Sequence, residues 1–95
     1  MPDPDTKALH VRITGRVQGV GYRAWTVDEA RRRELSGWVR NLADGDVEAV
    51  FSGPATVLND MVAACRRGPP LARVDDVMIE VAEPMSGPFT ALYER

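Results

Sequence analysis

Cysteine and histidine are almost absent from the 95 residues: Cys65 and His10 are single examples. One cysteine cannot close an intramolecular disulfide, which excludes a disulfide-stapled secreted scaffold. With one histidine beside it, no zinc cluster can be built from His and Cys. No metal and no cofactor are expected. Positive charge is not in excess either, with 12 Lys and Arg against 14 Asp and Glu, a formal net charge of −2. A module that grips nucleic acid through a broad basic surface needs the opposite balance. No apolar run approaches the roughly 18 residues of a membrane span, and Met1-Pro2-Asp3-Pro4-Asp5 has neither the basic nor the apolar part of a signal peptide. A cytoplasmic protein without nucleic-acid or membrane partners is the expectation.

What is present is an ordinary globular composition, 44% hydrophobic and 27% charged. A chain of this length buries roughly 60–65% of its unfolded surface in one core. The alternation of Pro and Asp marks residues 1–7 as a flexible tail, leaving residues 8–95 as one domain. Leu9, Val11 and Ile13 alternate with His10, Arg12 and Thr14, the period-2 pattern of a half-buried strand. Residues 22–35 contain no Pro or Gly and favour helix by propensity, although their apolar positions form no clean stripe. Gly37 to Asn41 reads as a second strand. Asp44-Gly45 signals a tight turn into a third, in which Val47, Ala49 and Phe51 alternate. Gly53-Pro54 opens a second helix with Val57, Leu58, Met61, Val62 and Cys65 on one face, stopped by Gly68-Pro69-Pro70. Val77, Ile79 and Val81 alternate as a fourth strand, and Phe89, Ala91 and Tyr93 suggest a short last one. The order β-α-β-β-α-β with an added terminal strand predicts an α+β fold. Its simplest packing is a ferredoxin-like sandwich, an antiparallel sheet with both helices on one face.

Three glycines fall within residues 15–21, between the first strand and the first helix. Glycines there let consecutive N–H groups face one point, and the helix adds unpaired N–H groups and the positive end of its dipole. The spacing is not that of a dinucleotide loop, and no Gly-Lys-Ser/Thr follows for a nucleotide loop. Arg23 sits in the first helical turn, where the dipole disfavours a bare cation by roughly 0.3–1 kcal/mol. A bound anion would remove that conflict, and a planar guanidinium suits a phosphoryl group. The plain alternative is a flexible turn with a solvated arginine. Asn41 ends the second strand, either as a turn residue bonding its own backbone or as a neighbour of the glycine loop.

Gly15-Arg16-Val17-Gln18-Gly19-Val20-Gly21-Tyr22-Arg23 resembles the phosphate-binding loop of the acylphosphatase family at every position. Gly37-Trp38-Val39-Arg40-Asn41, followed by Gly45, Val47 and Gly53, resembles that family's second signature with its spacing intact. The resemblance spans residues 9–93. It implies a ferredoxin-like enzyme hydrolysing small acyl phosphates to carboxylate and inorganic phosphate. By that resemblance, Arg23 grips the phosphoryl oxygens and Asn41 orients the attacking water. The main chain of Arg16, Val17, Gln18, Gly19 and Val20 forms the cradle. One departure is Arg33-Glu34-Leu35, where family members often carry a Leu-Gly-Leu-like stretch at the end of the first helix.

Other candidates read as structural. Strand parity puts His10 on the face away from the helices, a solvated residue and not a base. Cys65 lies on an apolar helix face as core, and Arg31-Arg32-Arg33 is a solvated run beside Asp28 and Glu29. Trp25 and Trp38 are packing or surface aromatics, so an RNA-binding module of this fold lacks its stacking platform. The alternative to an enzyme is a non-catalytic anion-binding or partner-interaction module of the same fold. A monomer is the simplest assembly.

Overall fold

The computed structural model describes residues 5–93. In chain order the elements are β1 (Thr6–Arg16), α1 (Tyr22–Arg32), β2 (Ser36–Asn41), β3 (Val47–Pro54), α2 (Ala55–Arg67), β4 (Arg73–Val81) and β5 (Thr90–Leu92). The strands form one sheet in the order β4-β1-β3-β2-β5. Two split β-α-β units interlock: β3 lies between β1 and β2, and β1 lies between β3 and β4. Both helices pack on the sheet, α1 over β2 and β5 and α2 over β1, β3 and β4. The expected ferredoxin-like α+β fold is therefore present.

The core follows from the strand alternation. Val11 and Ile13 of β1, Val39 of β2, Ala49 and Phe51 of β3, and Val77 of β4 are buried together with Ala30, Leu58, Met61 and Cys65 of the helices. The unclear stripe of α1 has a simple cause: its buried residues are Tyr22, Thr26 and Ala30, each four apart. Thr26 hides the pattern because it is polar, and its hydroxyl is satisfied by donating to the Tyr22 carbonyl at 2.8 Å.

Several boundaries differ from the sequence expectation. Thr6 and Lys7, expected in the tail, belong to β1, paired with Pro54 and Gly53; residues 1–4 lie outside the described residues. The strand β1 also runs through Gly15 to Arg16, with a register shift against β4 at Thr14/Gly15. A Cβ at Gly15 would collide with the Arg73 carbonyl oxygen, so the bulge requires glycine there. The sheet is mixed and not wholly antiparallel, because β5 pairs in parallel with β2. The chain between β4 and β5 joins opposite edges of the sheet, and Met85 on the way exchanges hydrogen bonds with Ser52, whose hydroxyl accepts from its N–H and donates to its carbonyl. This crossing brings the chain back along β2 in the same direction.

The face opposite the helices carries a charged ladder. Glu48 accepts from His10 Nε2 at 2.6 Å and from Arg40 Nε at 2.5 Å. Arg12 pairs with Asp44 and, at 2.7 Å, with Asp46. Burial alone would raise the Glu48 carboxyl, but the hydrogen bonds and charges of His10 and Arg40 outweigh it and hold it below the usual carboxylate range. His10 thus lies on the face that strand parity assigned to it.

Candidate active site

Parallel direction explains why the two signature segments meet. β1 and β2 each pair antiparallel with β3, so both run to the same end of the sheet. Val47, the first residue of β3, is opposite Ile13 on one side and Asn41 on the other. Two strand spacings, about 10 Å, thus separate Asn41 from β1 just before the glycine loop departs. Sequence alone left this approach open.

Residues 18–21 turn sharply into α1. Gly19 and Gly21 have φ of 74° and 79°, and a Cβ at either would meet nothing within 4 Å. Glycine is therefore needed here for the backbone angle and not for room. Gly21 is also the N-cap of α1, with no side-chain cap. The first intrahelical bond of α1 is donated by Trp25 to the Gly21 carbonyl, at 3.0 Å. Among the described residues, no turn or loop hydrogen bond engages the N–H groups of residues 18–21. Together with the unpaired N–H groups of the first helical turn, they form a surface of main-chain donors.

That surface is fixed from below. Val17 is buried in the core, and Tyr22 is buried with its hydroxyl donating to the Cys65 carbonyl of α2 at 2.7 Å. Burial raises the Tyr22 phenol well above its ordinary value and pushes the Cys65 thiol up to about 12. Cys65 is thus core, as its helix face indicated, and its protonated thiol is no nucleophile. Trp25 packs its ring against Tyr22 at 5.2 Å.

A cavity of about 220 Å³ opens over the donor surface, and Gln18, Gly19, Arg23 and Asn41 are among the residues that line it. Of the seven site residues expected from sequence, Val17 also lines it, whereas Arg16 and Val20 do not. Arg16 is the exposed last residue of β1, opposite Arg73, and Val20 packs against the core. An adjoining space of about 370 Å³ shares Gln18, Arg23 and Asn41 and adds Leu42 and Ala43.

Two features were not read from sequence. The Arg23 guanidinium carbon lies 4.3 Å from the centre of the Tyr93 ring, which lines both spaces. Only the location of β5 beside β2 puts Tyr93 there, and that pairing had no sequence signal. The side chain of Gln18 also reaches the β2–β3 turn, donating to the Leu42 and Asp46 carbonyls at 2.8 Å each. Arg31, expected to be solvated, instead donates to the Phe89 carbonyl at 2.9 Å, tying α1 to the chain before β5. Arg32 and Arg33 pair with Glu29, and Arg33 also with Asp60.

Main-chain donors, a guanidinium and a carboxamide around one open cavity can hold an anion bearing several oxygens and a water beside it. The fold and this arrangement define a small ferredoxin-like α+β domain with a candidate anion site at the β1–α1 junction. Comparison with known proteins gives the family. The family model Acylphosphatase matches residues 9–90. An acylphosphatase of Acidiphilium cryptum is 53% identical over 81 residues, covering 85% of this chain and 89% of that protein. One of a Nostoc species is 59% identical over 83 residues, covering 87% and 82%. The solved acylphosphatase structure from Coxiella burnetii superposes with a TM-score of 0.88 at 32% identity, covering 93% of this chain and 94% of that one. The chain belongs to the acylphosphatase family of hydrolases.

Proposed function

We propose that this chain hydrolyses the carboxyl-phosphate bond of small acyl phosphates, releasing a carboxylate and inorganic phosphate. The observation that carries this reading is the convergence of Arg23, Asn41 and the glycine-loop donors on one cavity. The phosphoryl oxygens accept hydrogen bonds from the N–H groups of the loop and of the first turn of α1, and from the Arg23 guanidinium. Asn41 orients a water for in-line attack. The water oxygen bonds to phosphorus as the bond from phosphorus to the acyl oxygen breaks, and the carboxylate leaves with that electron pair. A carboxylate is a good leaving group and needs little protonation, so no general acid is required. The proton of the attacking water passes to the substrate's own oxygens. Negative charge spread over the equatorial oxygens in the transition state is what Arg23 and the loop stabilise. Holding the water in line supplies the orientational part. The site uses no metal on this reading, since its donors are N–H groups and a guanidinium, and the protein works as a cytoplasmic monomer.

The test is hydrolysis of benzoyl phosphate, followed by its ultraviolet absorbance in chelator-treated buffer, with Arg23→Ala as control. Turnover by the parent chain and its loss in the variant is the expected result. A folded parent that binds phosphate without turnover would leave the site as a binding module only.

A further inference from the structure

Asn41 must keep a fixed position relative to Arg23 although the two belong to different elements. It is the last residue of β2, and its ladder partner Val47 is the first residue of β3. Beyond it the turn has two main-chain bonds of its own, Leu42 N–H to the Asp46 carbonyl at 2.8 Å and Gly45 N–H to the Leu42 carbonyl at 3.2 Å. Arg12 holds the turn's acidic side chains, Asp44 and Asp46. On the cavity side, the carboxamide of Gln18 binds the same two carbonyls that close the turn, across 24 and 28 residues of sequence. Gln18 also lines both spaces of the site.

We propose that Gln18 is a positioning residue that acts through Asn41, its side-chain amide locking the β2–β3 turn onto the glycine loop. This inference rests on the acylphosphatase reading and adds a side-chain role to a residue expected to contribute only its main chain. The chemistry explains the residue type. Two carbonyl oxygens need two N–H donors on one rigid, neutral group, which a primary amide supplies. A carboxylate would set its oxygens against both carbonyls, and the amide of Asn is one methylene too short for the same reach. Because the clamp grips the residue next to Asn41, its loss lets the carboxamide of Asn41 swing while the donors that hold the phosphoryl group stay in place.

The experiment measures kcat and KM for benzoyl phosphate and inhibition by inorganic phosphate in the parent, Gln18→Met, Gln18→Ala, Asn41→Ala and the Gln18→Ala/Asn41→Ala pair. Gln18→Met keeps the volume and removes the donors, so it reports on the clamp even if the smaller variant unfolds. The expected loss in kcat is roughly ten- to hundred-fold, the scale of a misplacement of about 1 Å. Phosphate inhibition should stay within about threefold, and Gln18→Ala should cost nothing further once Asn41 is gone. Unchanged kcat in both Gln18 variants would overturn the proposal. So would losses that multiply in the double variant, or a loss of phosphate affinity as large as the loss of kcat. An inactive parent would be recognised separately, since it removes the acylphosphatase reading itself and this inference with it.

Discussion

The two ends of α1 each break a rule of helix stability, and they do so differently. At the N-terminus no side chain caps the helix, no acidic residue lies in the first turn, and Arg23 sits there against the dipole. At the C-terminus Arg31 and Arg32 suit the dipole, but the residue that ends the helix is not glycine. Glu34 has φ of 58°, in the left-handed region, with Glu34 N–H bonded to the Arg31 carbonyl and Leu35 N–H to the Ala30 carbonyl. That is the Schellman pattern, which favours glycine where Glu34 stands. The first conflict faces an open cavity, where an anion can relieve it. The second leaves a non-glycine residue in the left-handed region at the turn into β2. A locally unfavourable feature therefore points to function only where the structure offers something to resolve it.

The comparison breaks most visibly at the N-terminus. Arg23→Ala should lower kcat/KM by roughly 100- to 1,000-fold, the scale of losing a transition-state donor. The same change should move stability in phosphate-free buffer by less than about 1 kcal/mol, because relief at the positive end of the dipole offsets loss of the Tyr93 ring contact. Thermal unfolding beside kinetics checks both, and a variant destabilised by several kcal/mol would mean that Arg23 is a structural residue. Asn41→Ala should lower kcat by up to about 100-fold while phosphate inhibition changes little. Equal losses in both would place Asn41 in anion binding instead.

At the other end, Glu34→Gly should leave kinetics unchanged and stabilise the fold by about 0.5–1 kcal/mol. Relief of the left-handed strain is partly offset by the greater freedom of glycine in the unfolded chain. Denaturant unfolding measures it, and a loss of stability would show that the Glu34 side chain is worth more than its strain.

The smallest effect concerns neither end. Glu48 is held below the ordinary carboxyl range in the fold, so its contribution is complete above that range and lost as pH falls through the lowered folded value. Glu48→Gln should cost roughly 0.2–0.5 kcal/mol at pH 7 and flatten the acid side of the stability profile. An unchanged profile would show that the ladder contributes nothing.

The same contrast shows what a sequence discloses. Strand parity located the helix-facing residues of β1 and β3 and put His10 on the other face, because a period of two is fixed by the pleat. It failed on β4, where Val77, Ile79 and Val81 alternate alike but Val77 is 6% exposed and Val81 89%. Periodicity names a face and not how far the neighbouring helix covers it, and β4 is an edge strand. The glycine loop and Arg23 stood out as candidates because their residue types suit an anion, and Asn41 because it closes a segment that resembles a family signature. Tyr93 over Arg23 and the amide of Gln18 on the β2–β3 turn were not. Both depend on which strands become neighbours, and the parallel β2–β5 pair in particular leaves no local mark. Arg33-Glu34-Leu35 was visible as a departure, yet only φ at Glu34 gives it a physical meaning.

The most direct test of the account is a titration of the isotopically labelled chain with inorganic phosphate, followed by amide and guanidinium NMR. The amides of residues 18–23 and the Arg23 Nε–H should shift together along one saturable curve, and Arg23→Ala should largely abolish that response. Phosphate shifts centred elsewhere, or an unaltered response in Arg23→Ala, would contradict the account.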